Sequence, residues 1–214
     1  PVMQRGQHPE AYAYLDAMVN DVLNSGEVRY RNEFEWNVYL INQDVLNAFC
    51  APGGYIFVYS GLVKYLDRPS ALAGVIGHEI AHADQRHSTE QMTKVYGLQT
   101  LLSLVTGNED PSMISQIATG LVSLKFSRNN ETEADEWSVR YLCPTDYDGA
   151  GAAQFFQKLE DEGNASPPEF LSTHPSPDNR IENINGEATE RGCSGPQDTS
   201  EEIQAYQAFQ ALMP

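Results

Sequence analysis

The chain has 214 residues, 41% of them hydrophobic and 10% aromatic, which suits one globular domain over 1–214 with a single sizeable core. Its formal charge of -17 excludes nucleic acid as a partner, because phosphates would be repelled, and disfavours anionic membrane surfaces. No window approaches about 18 consecutive apolar residues, so no segment reads as a membrane span.

The sequence starts at Pro1 with neither an initiator Met nor a signal-peptide pattern, which implies either a removed leader or a trimmed chain. Residues 1–8 read as a loose tail with His8 exposed. From Pro9 to Leu23, Tyr12, Leu15, Val19, Val22 and Leu23 recur at helical spacing, and Ser25-Gly26 supplies a stop. The period then changes. Trp36, Val38 and Leu40 alternate with Asn37, Tyr39 and Ile41, Asn47–Ala51 is a second short run, and Tyr55–Tyr59 is a third strand after the turn Pro52-Gly53-Gly54. This small sheet builds core, or its last strand is an edge that pairs with an extended peptide.

Gly61–Leu66 reads as a short helix. Pro69 suits the first turn of a longer one, whose buried stripe is Leu72, Val75, Ile76, Ile80 and Ala83. This apolar helix carries Gly77-His78-Glu79-Ile80-Ala81-His82, an HExxH sequence. Residues four apart share a helix face, so His78 and His82 can hold Zn²⁺ together at about 2.0–2.1 Å. Glu79 lies about 100° round the helix and can reach a water activated at the metal, as a general base. An unpaired histidine or carboxylate on an apolar helix is costly, so a ligand is the economical explanation. His87, about 140° further round, is expected to support or pack rather than ligate.

A second helical region runs from Asp110-Pro111 through Leu142, with a break near Ser127–Asn130, and Pro144 stops it. Asp148–Leu159 follows as a helix, then a loop from Gly163 to Pro177 and a short helix over Asn179–Ile184. Thr199–Glu202 has capping-box spacing and opens a C-terminal helix over 200–213, with Ile203, Tyr206, Phe209 and Met213 as its stripe. Three cysteines, Cys50, Cys143 and Cys193, are too few for a disulfide framework, although Cys143 and Cys193 could pair in an oxidising compartment.

A catalytic zinc takes three protein ligands and keeps one position open. The metzincin position for a third histidine holds Ser88, and Gln85 replaces the glycine of that pattern. Glu131, 49 residues after His82, is the candidate third ligand. Asp135 shares its face and can accept from a ligand imidazole, whereas Glu133 points the opposite way.

His78–His82, the run Ser127–Asp135 and Ser172-Thr173-His174-Pro175 together resemble the HtpX, CAAX-prenyl-protease and BepA-type zinc metallopeptidases, a branch of the gluzincins. Asn47-Ala48-Phe49 and Pro52–Val58 resemble the family strands before the metal helix, and the likeness covers roughly residues 35–185. The resemblance implies an α+β fold, mainly helical and zincin-like, with a small β-sheet before the HExxH helix. It implies one Zn²⁺ per chain on His78, His82 and Glu131, with Glu79 as base and Asp135 as supporting acid. His174 would donate to an oxyanion or cap the fourth zinc position, and Arg180 would steady the substrate carbonyl or oxyanion. A polypeptide substrate would lie along Gly54, Tyr55, Ile56 and Phe57. Without spanning helices, the chain resembles the soluble, periplasmic or envelope-located members, in which a signal peptide or lipid anchor precedes the domain. The implied activity is zinc-dependent endopeptidase action on misfolded or unassembled envelope proteins. The alternative is a chaperone-like or binding factor whose zinc site His174 holds shut.

Overall fold

A computed structural model of the chain describes residues 2–96, 125–163, 169–195 and 198–214. Helix α1, Pro9–Leu23, begins with Pro9 and buries the expected stripe together with Ala11 and Met18. Strands β1 (Asn37–Ile41), β2 (Ala48–Ala51) and β3 (Tyr55–Tyr59) form one sheet in the order β1-β3-β2. β3 runs antiparallel to β2 and parallel to β1. The turn between β2 and β3 uses Gly53 and Gly54 at φ 90° and 95°. A side chain at Gly54 would also press on the ring of Trp36, 3.0 Å away, so glycine is required there both for conformation and for space.

Two expectations change here. β3 is the central strand, hydrogen-bonded on both sides, so it is not an edge for an incoming peptide. Residues 2–8 are not a loose tail. Met3 is buried, its N–H donates to the Leu40 carbonyl at 2.8 Å, and its own carbonyl accepts from Tyr12 Oη at 2.7 Å. Arg5 adds a fork onto Asp16 and reaches the Val38 carbonyl at 2.8 Å. Buried Met3 and the bonds of Met3, Tyr12 and Arg5 to the backbone of Leu40 and Val38 dock the segment.

Helix α2 (Ser60–Tyr65) leads to α3 (Pro69–Asp84), every residue of which is buried. Next in order are α4 (His87–Tyr96), α5 (Arg128–Leu142), α6 (Gly151–Glu162), α7 (Glu169–Thr173), α8 (Arg180–Arg191) and α9 (Ser200–Gln210). α3 is the axis of the molecule, packed against α5, α6 and β2. Its small residues set how near the neighbours come. Gly74 faces the backbone of Gly151 and Ala152, and Gly77 faces Leu142 and Ser138, whose hydroxyl donates to the Gly74 carbonyl at 2.8 Å. The C-terminal end of α3 is anchored by Asp84, whose carboxylate accepts from the backbone N–H of Arg29 and Tyr30 and from Tyr141 Oη.

The expected break near Ser127–Asn130 is the start of α5, where Ser127 and Asn130 cap each other reciprocally. The stretch of that helical region before residue 125 lies outside the described residues. α7 was not expected within the loop 163–177, and α8 runs to Arg191 rather than Ile184. α9 stops at Gln210, although Met213 beyond it is still buried. Cys143 and Cys193 are bridged, joining the end of α5 to the end of α8. Among the described residues no helix is long and apolar enough to cross a membrane.

Candidate functional site

Where α3 crosses α5, four side chains converge. His78 and His82 come from one face of α3, Glu131 from the first turn of α5, and His174 from the residue that follows α7. All four are buried, and one ligand atom of each lies within 4.8 Å of the others. His78 Nε2 stands 3.0 Å from His82 Nε2 and 3.3 Å from Glu131 Oε2; His82 Nε2 stands 3.3 Å from Glu131 Oε1. His174 Nδ1 is 3.1 Å from Glu131 Oε1 and 3.4 Å from His78 Nε2. Gly77 lies at this crossing, where a Cβ would meet Leu142 Cδ1 at 2.9 Å and Ser138 Oγ at 3.0 Å on α5.

Asp135, one turn beyond Glu131, sits 2.8 Å from His78 Nδ1. A carboxylate only accepts, so His78 Nδ1 carries a proton, and whenever the ring is neutral its Nε2 presents a lone pair to the cluster. That lone pair then faces Glu131 Oε2, an acceptor as well, at 3.3 Å. Acceptors that converge in a buried place repel unless a cation joins them. Two imidazoles and a carboxylate are the donor set that suits zinc, so these residues fit the metal that the HExxH pattern implies.

Arg180, at the start of α8, is buried and holds the carboxylates apart from one another. Its Nε and Nη2 donate to Asp135 at 2.7 and 2.8 Å, and Nη2 also donates to Glu131 at 3.0 Å. The guanidinium lies over the Phe156 ring, 3.8 Å from its centroid. Only Nη1 lacks a partner among the described residues, while Nε and Nη2 are committed to Asp135 and Glu131.

Glu79 is buried beside the cluster, and neither of its carboxylate oxygens has a hydrogen-bond partner among the described residues. His174 Nε2 comes within 3.5 Å of Glu79 Oε1, near enough to feel its charge but not placed to hydrogen-bond. Burial pushes the Glu79 carboxyl up, opposed by His174 and His78. Burial acts the same way on Glu131, yet His174, His78 and His82 together bring it well below the carboxylate range. Burial resists charging His78, but Asp135 and then Glu131 outweigh it and lift the ring to about 9. His82, less well served, is driven well down by burial.

Some neighbours were not legible in the motifs. Phe126 stacks on His82 at 3.9 Å between centroids, and Phe170 stacks on His174 at 4.3 Å. Phe170 precedes His174 by one helical turn, a usable signal; Phe126 had none. His87 does not continue α3. The chain turns at Gln85, Arg86 takes φ 67°, and His87 returns to 3.1 Å from His82 Nδ1. Glu133, which does point away from Glu131, meets His87 Nε2 at 3.1 Å.

Of the expected peptide-binding residues, Gly54 is in the β-turn, and Tyr55, Ile56 and Phe57 lie in central β3, the last two fully buried. The strand at the sheet edge beside α3 is β2. The Tyr59 N–H bond to the Asn47 carbonyl sets the alternation, so Ala48 and Cys50 turn their backbone groups away from β3. Asn47 Oδ1 accepts the outward N–H of Ala48, and Ser88 Oγ donates to the outward carbonyl of Cys50.

Residues 9–188 match the family model described as Peptidase family M48. The chain is 35% identical over 141 residues to the mitochondrial metalloendopeptidase OMA1 of Arabidopsis thaliana, an alignment covering 66% of this chain and 29% of that protein. It is 32% identical over 192 residues to the beta-barrel assembly-enhancing protease of Yersinia pestis, covering 83% of this chain and 39% of that one. With the mitochondrial metalloendopeptidase OMA1 of Saccharomyces cerevisiae it shares 31% identity over 183 residues, 80% of this chain and 50% of the relative. The aligned stretch is thus half or less of each relative's length. With the HExxH helix, the buried His-His-Glu-His cluster and a match over most of its length, the chain belongs to Peptidase family M48.

Proposed function

We propose that the chain is a zinc-dependent endopeptidase domain, with His78, His82 and Glu131 as the metal ligands. The observation that carries this is the convergence of buried His78, His82, Glu131 and His174 beside Glu79, a carboxylate whose two oxygens have no hydrogen-bond partner among the described residues. Zinc, when bound, supplies a Lewis acid that lowers the pKa of water to about 7 and polarises a carbonyl. Glu79 takes the proton of the attacking water and returns it to the leaving amine; burial has already raised its affinity for that proton. Asp135 keeps the proton of His78 on Nδ1, and Arg180 fixes both Asp135 and Glu131 in place. Asp135 thereby acts on orientation and Arg180 on the carboxylates, while Arg180 Nη1 is left as the donor that can turn to an oxyanion.

The relatives' names point to the substrate class. Two of those aligned are metalloendopeptidases and one is a protease that enhances β-barrel assembly. We assign to this chain polypeptide substrates of the misfolded or unassembled envelope type, in an extracytoplasmic compartment. The Cys143–Cys193 bridge supports an oxidising location.

The position of His174 favours a second reading. Its Nδ1 joins the ligand cluster as a fourth member, which suits a binding or chaperone-like factor whose site is held shut. Zinc-loaded protein, its Glu79→Gln variant and its His174→Ala variant, each incubated with unfolded casein, separate the two. The enzyme reading expects cleavage by the parent, a loss of about 10²–10⁴-fold in Glu79→Gln with zinc retained, and a gain in His174→Ala if His174 gates. Full cleavage by Glu79→Gln would remove Glu79 as the base. No cleavage by parent or His174→Ala, with zinc bound, would favour the binding factor.

A further inference from the structure

We infer that His87 and Glu133 form a positioning relay for His82, an assignment that rests on the metal-centre reading above. His82 Nδ1 has one polar neighbour among the described residues, His87 Nδ1 at 3.1 Å. Two imidazole nitrogens can share only one proton, so which of them donates is decided elsewhere. The decision lies with Glu133, whose Oε2 is 3.1 Å from His87 Nε2 and can only accept. The Nε2 proton of His87 therefore points to Glu133, and a neutral His87 turns its Nδ1 lone pair to His82. His82 donates from Nδ1 and must present the lone pair of Nε2 to His78 and Glu131. Reversed, the same contact would put a proton on the atom that has to ligate.

The local backbone is built for this contact. Arg86 holds φ 67°, a left-handed conformation unusual outside glycine. That reversal sets the His87 ring 5.1 Å from the His82 ring at 69°. His87 is itself buried, whereas the Glu133 side chain is about half exposed, at 49%.

The two ligand histidines are thus oriented by different means. His78 meets a buried carboxylate directly, with Arg180 beside it as counter-ion. A second carboxylate placed directly on His82 would add another buried negative charge next to Glu79, Glu131 and Asp135. The relay supplies the same tautomer control while leaving its charge at the surface, where water solvates it.

The test uses the whole chain and two readouts besides proteolysis: the zinc dissociation constant, from competition with a chromophoric chelator, and the visible spectrum of the Co²⁺-substituted protein. His87→Phe, which keeps the ring and removes both nitrogens, should weaken zinc binding by about 10–100-fold and change the cobalt spectrum. Glu133→Ala should weaken it in the same direction, and Glu133→Gln, still able to accept, should restore most of the affinity. Metal-free parent and Glu133 variants should melt alike. A merely structural His87 would instead shift the melting of the metal-free protein and leave zinc affinity and the cobalt spectrum unchanged. If the parent binds zinc while His87→Phe and Glu133→Ala both bind within about twofold of it, the relay is overturned. If His87→Phe does not fold, Glu133→Ala at its half-exposed position decides the matter alone. A parent that binds no zinc overturns the metal centre itself, a result separate from failure of the relay.

Discussion

Replacing Asp135 by Asn keeps the shape of the side chain and removes its charge, so it tests the core of the site without opening a cavity. Asp135 accepts from Arg180 Nε at 2.7 Å, from Arg180 Nη2 at 2.8 Å and faces His78 Nδ1 at 2.8 Å. An amide cannot serve all three. With its oxygen towards His78 and Nη2, its NH₂ meets the Nε–H of Arg180, donor against donor. With the amide reversed, His78 can accept through Nδ1 only by moving its proton to Nε2, the atom that should ligate. Breaking one side of a buried ion pair costs about 3–5 kcal/mol. Because Arg180 keeps Glu131 at 3.0 Å, the lower end applies, roughly 3 kcal/mol out of a total stability of about 5–15. Urea unfolding in the presence of chelator reads this loss, and chelator competition should read about 10–100-fold weaker zinc binding. Metal-free Asp135→Asn within about 1 kcal/mol of the parent, with unchanged zinc affinity, would refute the reasoning.

Four further outcomes follow from the same geometry. His78 has its folded pKa lifted to about 9 from 6.5, so in metal-free protein its stabilisation is complete below pH 6.5 and is lost as pH climbs to 9. The loss is roughly 3 kcal/mol; a urea midpoint that stays flat between pH 6.5 and 8.5 in chelator contradicts it, since buried Cys50 adds loss of the same sign only above about pH 8.5. Gly74→Ala should destabilise by about 1–3 kcal/mol in spite of better helix propensity, because the new methyl meets backbone of Gly151 and Ala152. Gly77→Ala, which meets only Leu142 Cδ1 at 2.9 Å and Ser138 Oγ at 3.0 Å, should cost less in the same thermal melts. Removing zinc with chelator should lower the melting temperature by about 8–16 °C if the metal is present at about 1,000 times its dissociation constant.

What the sequence made legible was the part of the structure determined by near neighbours. Pro9–Leu23, Pro69–Asp84 and Tyr55–Tyr59 carry their own period and punctuation, and each is found as read or nearly so. The HExxH spacing and the Glu131–Asp135 spacing are also local, since each pair lies on one helix. The failures concern relations between distant segments. Tyr55–Tyr59 reads as a strand from its own residues, but its central place depends on parallel pairing with Asn37–Ile41. Met3 docks because β1 offers an edge and Tyr12 a hydroxyl, neither visible from residues 1–8. The angular estimate for His87 assumed an unbroken helix; the turn at Gln85–Arg86 brings it against His82 by another route, and its supporting place outside the ligand cluster is as expected. α7 was hidden because a five-residue helix has too little period to recognise.

The charges explain why so polar a cluster can sit inside an apolar core. Glu79, Glu131 and Asp135 are all buried, and among the described residues Arg180 is the permanent cation that touches Glu131 and Asp135. Fully ionised, the four groups leave an excess of two negative charges, which one divalent cation cancels. Without metal, protons take its place: His78 binds one up to about pH 9, and burial raises the readiness of Glu79 to bind another. Glu131 behaves differently, kept ionised by the three imidazoles around it and therefore ready to ligate. On the proposed metal-centre reading, metal uptake would exchange protons for zinc at the same positions instead of creating a new charge in the core. Arg180 supports this arrangement by donating to both Glu131 and Asp135, the two carboxylates that lie one turn apart on α5. The packing of α8 against α5 accordingly belongs to the proposed metal site, although none of the expected zinc ligands lies on α8.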